Sequence, residues 1–258
     1  MEKNCCRRSA RPEWKVRMTR TRFHQGLDEL KARLLEMGGQ AELAIDKAVD
    51  GYRHRNIALC EEVFGLEDKI NQAEREIDEL ALDMLALQQP MAVDLRFLTA
   101  CMKINADLER VGDQAVNIAE RGIQDARLPN ADLPVDIPRL AGTAAGMVRR
   151  ALEAFVQGRA DLADAVLKMD DIVDRMNYEV YLAMVKTMHD HPDSVQQALD
   201  ALLVARNLER VADHATNIAE DVIFWVKGAD VRHHAIDEST RLDADHKAAE
   251  TESGSKSV

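Results

Sequence analysis

Leu108-Glu109-Arg110-Val111-Gly112-Asp113-Gln114-Ala115-Val116-Asn117-Ile118-Ala119-Glu120 returns 100 residues later as Leu208-Glu209-Arg210-Val211-Ala212-Asp213-His214-Ala215-Thr216-Asn217-Ile218-Ala219-Glu220. The match keeps apolar and acidic positions alike, which is the signature of an internal duplication. On a helix turning about 100° per residue, Glu109, Asp113, Asn117 and Glu120 fall within an arc of about 80°. Ile104, Leu108, Val111, Ala115 and Ile118 fall on the far side. One face is therefore core, and the other is a ladder of oxygen atoms. Glu209, Asp213, Asn217 and Glu220 repeat the ladder.

Working outward from the two copies, the spacing predicts six helical segments. The first, about 22–54, carries Leu27, Leu30, Leu34, Met37, Ala41, Ala44, Ile45 and Ala48 at the three-and-four spacing of an amphipathic helix. The second, about 57–88, does the same with Val63, Leu66, Ile70, Ala73, Ile77, Leu80 and Met84. Pro90 opens the third, which holds the first copy and runs to about 127. A break with Pro129, Pro134 and Pro138 follows. The fourth covers about 136–157 and stops at Gly158, and the fifth covers about 160–189. Pro192 opens the sixth, which holds the second copy and ends near Gly228. The predicted fold is all-α: two tandem, pseudo-symmetric three-helix bundles over 22–128 and 136–228, joined by a linker at 129–135. The termini, 1–21 and 229–258, are polar and aperiodic and read as disordered. Met18 stands just before the first periodic segment, so residues 1–17 are consistent with an upstream start.

Composition narrows the function classes. Hydrophobic residues make up 46% and aromatics only 4%, which favours long helices over sheets. No run of eighteen apolar residues suggests a membrane span, and no signal peptide is visible. Cys5, Cys6, Cys60 and Cys101 have neither zinc-site nor disulfide spacing, which fits a cytoplasmic protein. The net charge of −12 argues against general nucleic-acid binding and suits cations or basic partner surfaces. There is no nucleophile constellation, phosphate loop or dinucleotide fingerprint.

The ladders point to metal chemistry. Like charges at i,i+4 cost about 0.2–0.5 kcal/mol, and asparagine is a poor mid-helix residue. A solvated acidic face with local arginine pairing is the plainer account of any one such pair. Both penalties kept in both copies call for a compensating cation, bound by carboxylate and amide oxygens. One helix cannot fill a coordination shell. Helix two offers Glu67 and Asn71, followed by Glu74 and Asp78; helix five offers Asp170 and Asp174. The candidate metal ligands are therefore Glu67, Asn71, Glu109, Asp113 and Asn117 in the first half. In the second they are Asp170, Asp174, Glu209, Asp213 and Asn217. Asn71 stands where the other half has Asp174, so the first site is less anionic and is expected to bind more weakly. His214 lies about 100° around the helix from Asp213 and reads as a surface residue. His189 and His191 read as capping or loop residues.

These motifs resemble the PhoU family. The resemblance covers about 22–234 and rests on Gln89-Pro90-x-x-x-Asp94-Leu95-Arg96, Leu108-Glu109-Arg110-x-x-Asp113, and Leu208-Glu209-Arg210-x-x-Asp213 with Asn217-Ile218. Met37-Gly38-Gly39 and Val226-Lys227-Gly228 add to it. The resemblance implies acid-x-x-x-Asp pairs that hold iron clusters or other divalent or trivalent ions such as Zn, Ni, Mg or Mn. It implies a homodimeric, non-enzymatic negative regulator of phosphate uptake and of the phosphate-starvation response. The implied partners are the ATPase of a phosphate ABC transporter and a sensor histidine kinase, with membrane contact only through them. Asp94-Leu95-Arg96 has no counterpart in the second half, and the resemblance assigns it no role. Two readings from other classes compete. A carboxylate-bridged di-iron enzyme or ferroxidase needs Glu-x-x-His pairs. Three residues after Glu109 stands Gly112, and three after Glu209 stands Ala212. A metal-free helical scaffold is the other.

Overall fold

The computed structural model describes the backbone of residues 13–88 and 90–228. Among them are seven α-helices, a short 3-10 turn and no strand. α1 (Glu13–Arg53), α2 (Ile57–Gln88) and α3 (Ala92–Asp125) form the first bundle; α4 (Ile137–Gln157), α5 (Ala160–Leu167), α6 (Asp170–Asp190) and α7 (Val195–Lys227) form the second. α1 begins inside the stretch read as a disordered tail: residues 13–21 are helical. Residues 1–12 and 229–258, the rest of the expected tails, and Gln89 lie outside the described residues.

The fifth predicted segment is interrupted at Lys168 and Met169, which turn before α6 starts at Asp170. Asp170 and Asp171 account for the break. In the first turn of a helix they meet unpaired N–H groups and the positive end of the dipole; in mid-helix they would meet neither. The other boundaries follow local chemistry. Asp136 caps α4, its Oδ1 accepting from Arg139 N at 3.1 Å. Gly158 and Gly228 close α4 and α7 in the left-handed region, at φ +62° and +70°. Pro192 opens the 3-10 turn that leads into α7. Asp136→Ala is expected to lower stability by about 1 kcal/mol, read from the urea midpoint, while Asp132→Ala in the adjoining linker shifts it by less than about 0.5 kcal/mol.

The apolar positions expected of the first three helices are all buried or packed on the core. α3 and α7, the two helices carrying the duplicated string, pack on each other, and α1 packs on α4. The buried side chains consequently form one continuous cluster through both halves. α1 and α4 come close because position 38 has no side chain: a Cβ there would stand 2.2 Å from Leu152 Cδ1. Phe97 of α3, Phe155 of α4 and Trp225 of α7 meet with ring centroids 5.0–5.6 Å apart. Of Asp94-Leu95-Arg96, the arginine joins the two halves. Arg96 Nε donates to the carbonyl of Trp225 at 3.3 Å, satisfying a backbone acceptor at the C-terminal end of α7.

Candidate metal centre

In each half the acid pair of the duplicated string comes near carboxylates of a neighbouring helix. In the second half, α6 brings Asp170 and Asp174 against Glu209 and Asp213 of α7. The consequence is electrostatic. Burial, then Asp174, Asp213 and Asp171, push the Asp170 carboxyl up to about 6. Burial followed by Asp174 raises Asp213, with His214 and Arg210 opposing. Burial, then Asp213 and Asp174, raises Glu209 against Arg206 and Arg210. Each of these carboxylates thus loses hydration and gains negative neighbours, and a cation among them would relieve both costs.

In the first half, α2 brings Glu67, Asn71 and Glu74 toward α3. Burial raises Glu109, and Asp113, Glu74 and Glu67 raise it further, against Arg110. Asn71 Nδ2 donates to Glu67 Oε1, and the buried Asn71 Oδ1 accepts no hydrogen bond. An amide oxygen left unsatisfied beside carboxylates is a donor atom suited to a hard cation. The all-oxygen donor sets of both halves therefore fit an oxygen-preferring metal. Among the described residues, however, no three His, Cys, Asp or Glu side chains are gathered closely enough to hold a metal. Mutual repulsion of like charges favours this splaying.

Two asparagines of the ladders behave differently. Asn117 is half-buried on α3. Asn217 Nδ2 donates to Asp107 Oδ1 at 3.3 Å, which draws this side chain toward α3. His214 is not the surface residue expected. Its side chain is 14% exposed, and its Nδ1 lies 3.0 Å from Asp107 Oδ1. Asp107, itself buried, was invisible to the repeat because it stands one residue before it; its counterpart Asn207 turns back to the Leu203 carbonyl. Lys103–Asp221 at 3.0 Å and Arg121–Asp200 at 3.8 Å extend this polar seam along α3 and α7. Asn105 stands outside the repeated string. Fully buried on α3, it donates to the Glu74 carbonyl at 2.8 Å and to Asp78 Oδ1 at 3.0 Å, fixing the α2 ladder against α3.

Cys60 and Cys101 are buried free thiols, both pushed up by burial, which disfavours the reactive thiolate. No described helix is long and apolar enough to cross a membrane.

The comparisons with known proteins follow the duplication. The family model described as PhoU domain matches twice, over residues 34–122 and 137–222. A Pseudomonas putida protein named phosphate-specific transport system accessory protein PhoU homolog is 38% identical over 221 residues, 84% of this chain and 86% of that one. The crystal structure of PhoU from Pseudomonas aeruginosa is similar with a TM-score of 0.76 at 36% identity, covering 80% of this chain and 100% of that chain. The phosphate transport system regulatory protein PhoU from Streptococcus pneumoniae gives 0.75 at 27% identity, covering 81% and 99%.

Proposed function

This chain belongs to the PhoU family, and on that footing we propose that it is a non-enzymatic accessory protein of a phosphate-specific transport system. It restrains phosphate uptake and the phosphate-starvation response by linking the transporter ATPase to a sensor histidine kinase, as a cytoplasmic homodimer. The observation that carries this reading is the match of both halves to one domain, together with relatives named as accessory or regulatory proteins of phosphate transport.

The acidic ladders give the adaptor a cation-dependent element. Glu67, Asn71, Glu109 and Asp113 would hold a metal in the first half, and Asp170, Asp174, Glu209 and Asp213 in the second, with Asn117 and Asn217 at the edges. A bound metal supplies positive charge that neutralises each cluster and ties its two helices together. Without it, Asp170, Asp174 and Asp213 push α6 and α7 apart. The ferroxidase reading lacks its Glu-x-x-His pairs, since Gly112 and Ala212 occupy the required positions.

Purified protein should carry transition or alkaline-earth metal by elemental analysis, and Glu209→Ala/Asp213→Ala should lose at least half of it while retaining its helical circular dichroism. An unchanged metal content in that variant rejects the ligand assignment. A metal-free preparation whose melting temperature ignores both chelator and added metal supports a helical scaffold instead. Capture of the transporter ATPase and the sensor kinase by the tagged chain tests the adaptor role, and binding to neither rejects it.

A further inference from the structure

The duplication supplies an internal control for the outer side of α6. Asp170 and Asp174 of α6 stand where α2 has Glu67 and Asn71, and the buried positions keep that register: Val173 with Ile70, Val180 with Ile77 and Met184 with Ala81. On the opposite side the two helices part. Tyr178, Tyr181 and Leu182, 60%, 51% and 50% exposed, stand where α2 has Arg75, Asp78 and Glu79. A three-helix bundle of this kind therefore folds with charged residues at these positions, and only the second half makes them apolar. With Val185 they recur at three- and four-residue spacing, a second apolar stripe opposite the buried one. The Tyr178 and Tyr181 rings stack with centroids 6.2 Å apart. With Leu202 and Leu203 of α7 they help to line a cleft of about 560 Å³. Monomers seldom leave so continuous an apolar surface in water, and tyrosine is enriched where proteins meet.

The charges along this stripe decide what covers it. Asp171 and Asp174 stand at its start and Lys186 near its end, all three exposed. His189, further on, is already bound to Asp190 at 2.8 Å. Asp174 is shared with the metal centre, which leaves Asp171 as the acid of that turn outside the ligand set. A stripe with acids at one end and a cation at the other is complementary to its own antiparallel copy. A two-fold axis near Val180 sets Lys186 of one copy over the Asp171–Asp174 turn of the other, and the two tyrosine pairs meet between them. The same operation on α2 sets Asp68 against Asp83, at the positions equivalent to Asp171 and Lys186. Lys186, like the apolar stripe, thus distinguishes α6 from α2. α6 has 21 residues, so with the flank of α7 it offers a surface about 30 Å long and about 20 Å wide. That is comparable with the roughly 800 Å² per partner of a specific interface.

We propose that two copies of this chain associate through this stripe of α6 and the adjoining flank of α7. Tyr178 and Tyr181 form the centre, Leu182 lies at the rim, where truncation costs little, and Lys186 of each copy pairs with Asp171 of the other. This assignment rests on the homodimer reading and names the face that forms it.

Sedimentation equilibrium of the full-length chain tests this face, with circular dichroism to verify that each variant folds. The parent chain should be dimeric. Tyr181→Glu should weaken the dimer at least about thirtyfold, because it places a charge at the centre of an interface. Leu82→Glu, at the α2 counterpart of Val185, should leave it unchanged. Asp171→Lys and Lys186→Glu should each weaken it about tenfold by setting like charges together. Combined in one chain they should restore it, since the two residues lie about four turns apart on one helix and meet only across the axis. Where Tyr181→Glu fails to fold, this charge exchange keeps the test open. A dimer undiminished by Tyr181→Glu and by both single charge variants overturns this face and leaves the homodimer reading standing. Failure of the exchange to restore the dimer overturns the antiparallel arrangement. A parent chain that is monomeric at every concentration overturns the face and the homodimer together. A monomeric parent whose Tyr181→Glu variant loses the transporter ATPase gives the face to that partner and likewise overturns self-association.

Discussion

Phe155→Ala lowers the stability of this protein by about 3–5 kcal/mol, and it does so for both halves at once. Phe155 is fully buried on α4. Its ring stacks on Phe97 of α3 at 5.5 Å and meets Trp225 of α7 at 5.6 Å, so removing it opens a void where three helices from the two halves converge. The cost exceeds simple transfer, because the two remaining rings are held by their own helices and cannot close the gap fully. Since the buried cluster runs through both halves, urea denaturation should keep one transition with an unchanged slope and a lower midpoint. Two separated transitions would show that the halves fold independently, and a loss below about 1 kcal/mol would show that the neighbouring rings close the gap. Leu182→Ala, at a side chain 50% exposed on α6, is the control and should change stability by less than about 0.5 kcal/mol.

Asp170→Asn is expected to act in opposite directions on stability and on metal binding. The Asp170 carboxyl is raised from 3.8 to about 6, first by burial and then by Asp174, Asp213 and Asp171. Over the window from about pH 4 to about pH 6 the folded chain therefore keeps a proton that the unfolded chain has released. A raised carboxylate destabilises the fold in its charged form. Stability is highest below the ordinary value, falls as pH rises through the window, and stays reduced above it. The asparagine removes that loss. In chelator-treated protein at pH 7.5, roughly, the gain should be about 1 kcal/mol, after discounting the shift for solvent screening at this half-buried site. The same variant should weaken metal binding at least about tenfold, because one anionic ligand is gone. A metal-free variant no more stable than the parent at neutral pH, yet equal to it at pH 4, would contradict the electrostatic account of this cluster.

These two sites differ in how far the amino-acid sequence reveals them. The Asp170–Asp174 and Glu209–Asp213 pairs are legible because i,i+4 spacing places both members on one helix face, and the repeat marks two of them. The facing of α6 and α7 does not follow from it, since the apolar stripe that buries each helix lies on the side away from its acids. The break before Asp170 was not legible: the apolar period continues through Lys168 and Met169, and only the acids at the start of α6 mark the end of one helix and the start of another. His214 is the sharper case. Its position relative to Asp213 on α7 suggests exposure. Yet that side of the helix lies against α3, where Asp107 occupies the facing position.

For this protein, the sequence alone determined the helical periodicity, the buried stripes and the one-sided ladders, because each is a property of a single helix with a period of 3.6 residues, and the duplication, because it is a repeat of the residues themselves. Tertiary structure alone decided the interhelical pairings. Asp107 with His214 and Asn217, Asn105 with Asp78, Arg96 with the Trp225 carbonyl and Gln197 with the Pro129 carbonyl each join groups on different segments. Such partners depend on the register and rotation of one helix against another. Those are set by how whole side-chain surfaces interlock, and local spacing carries no record of them.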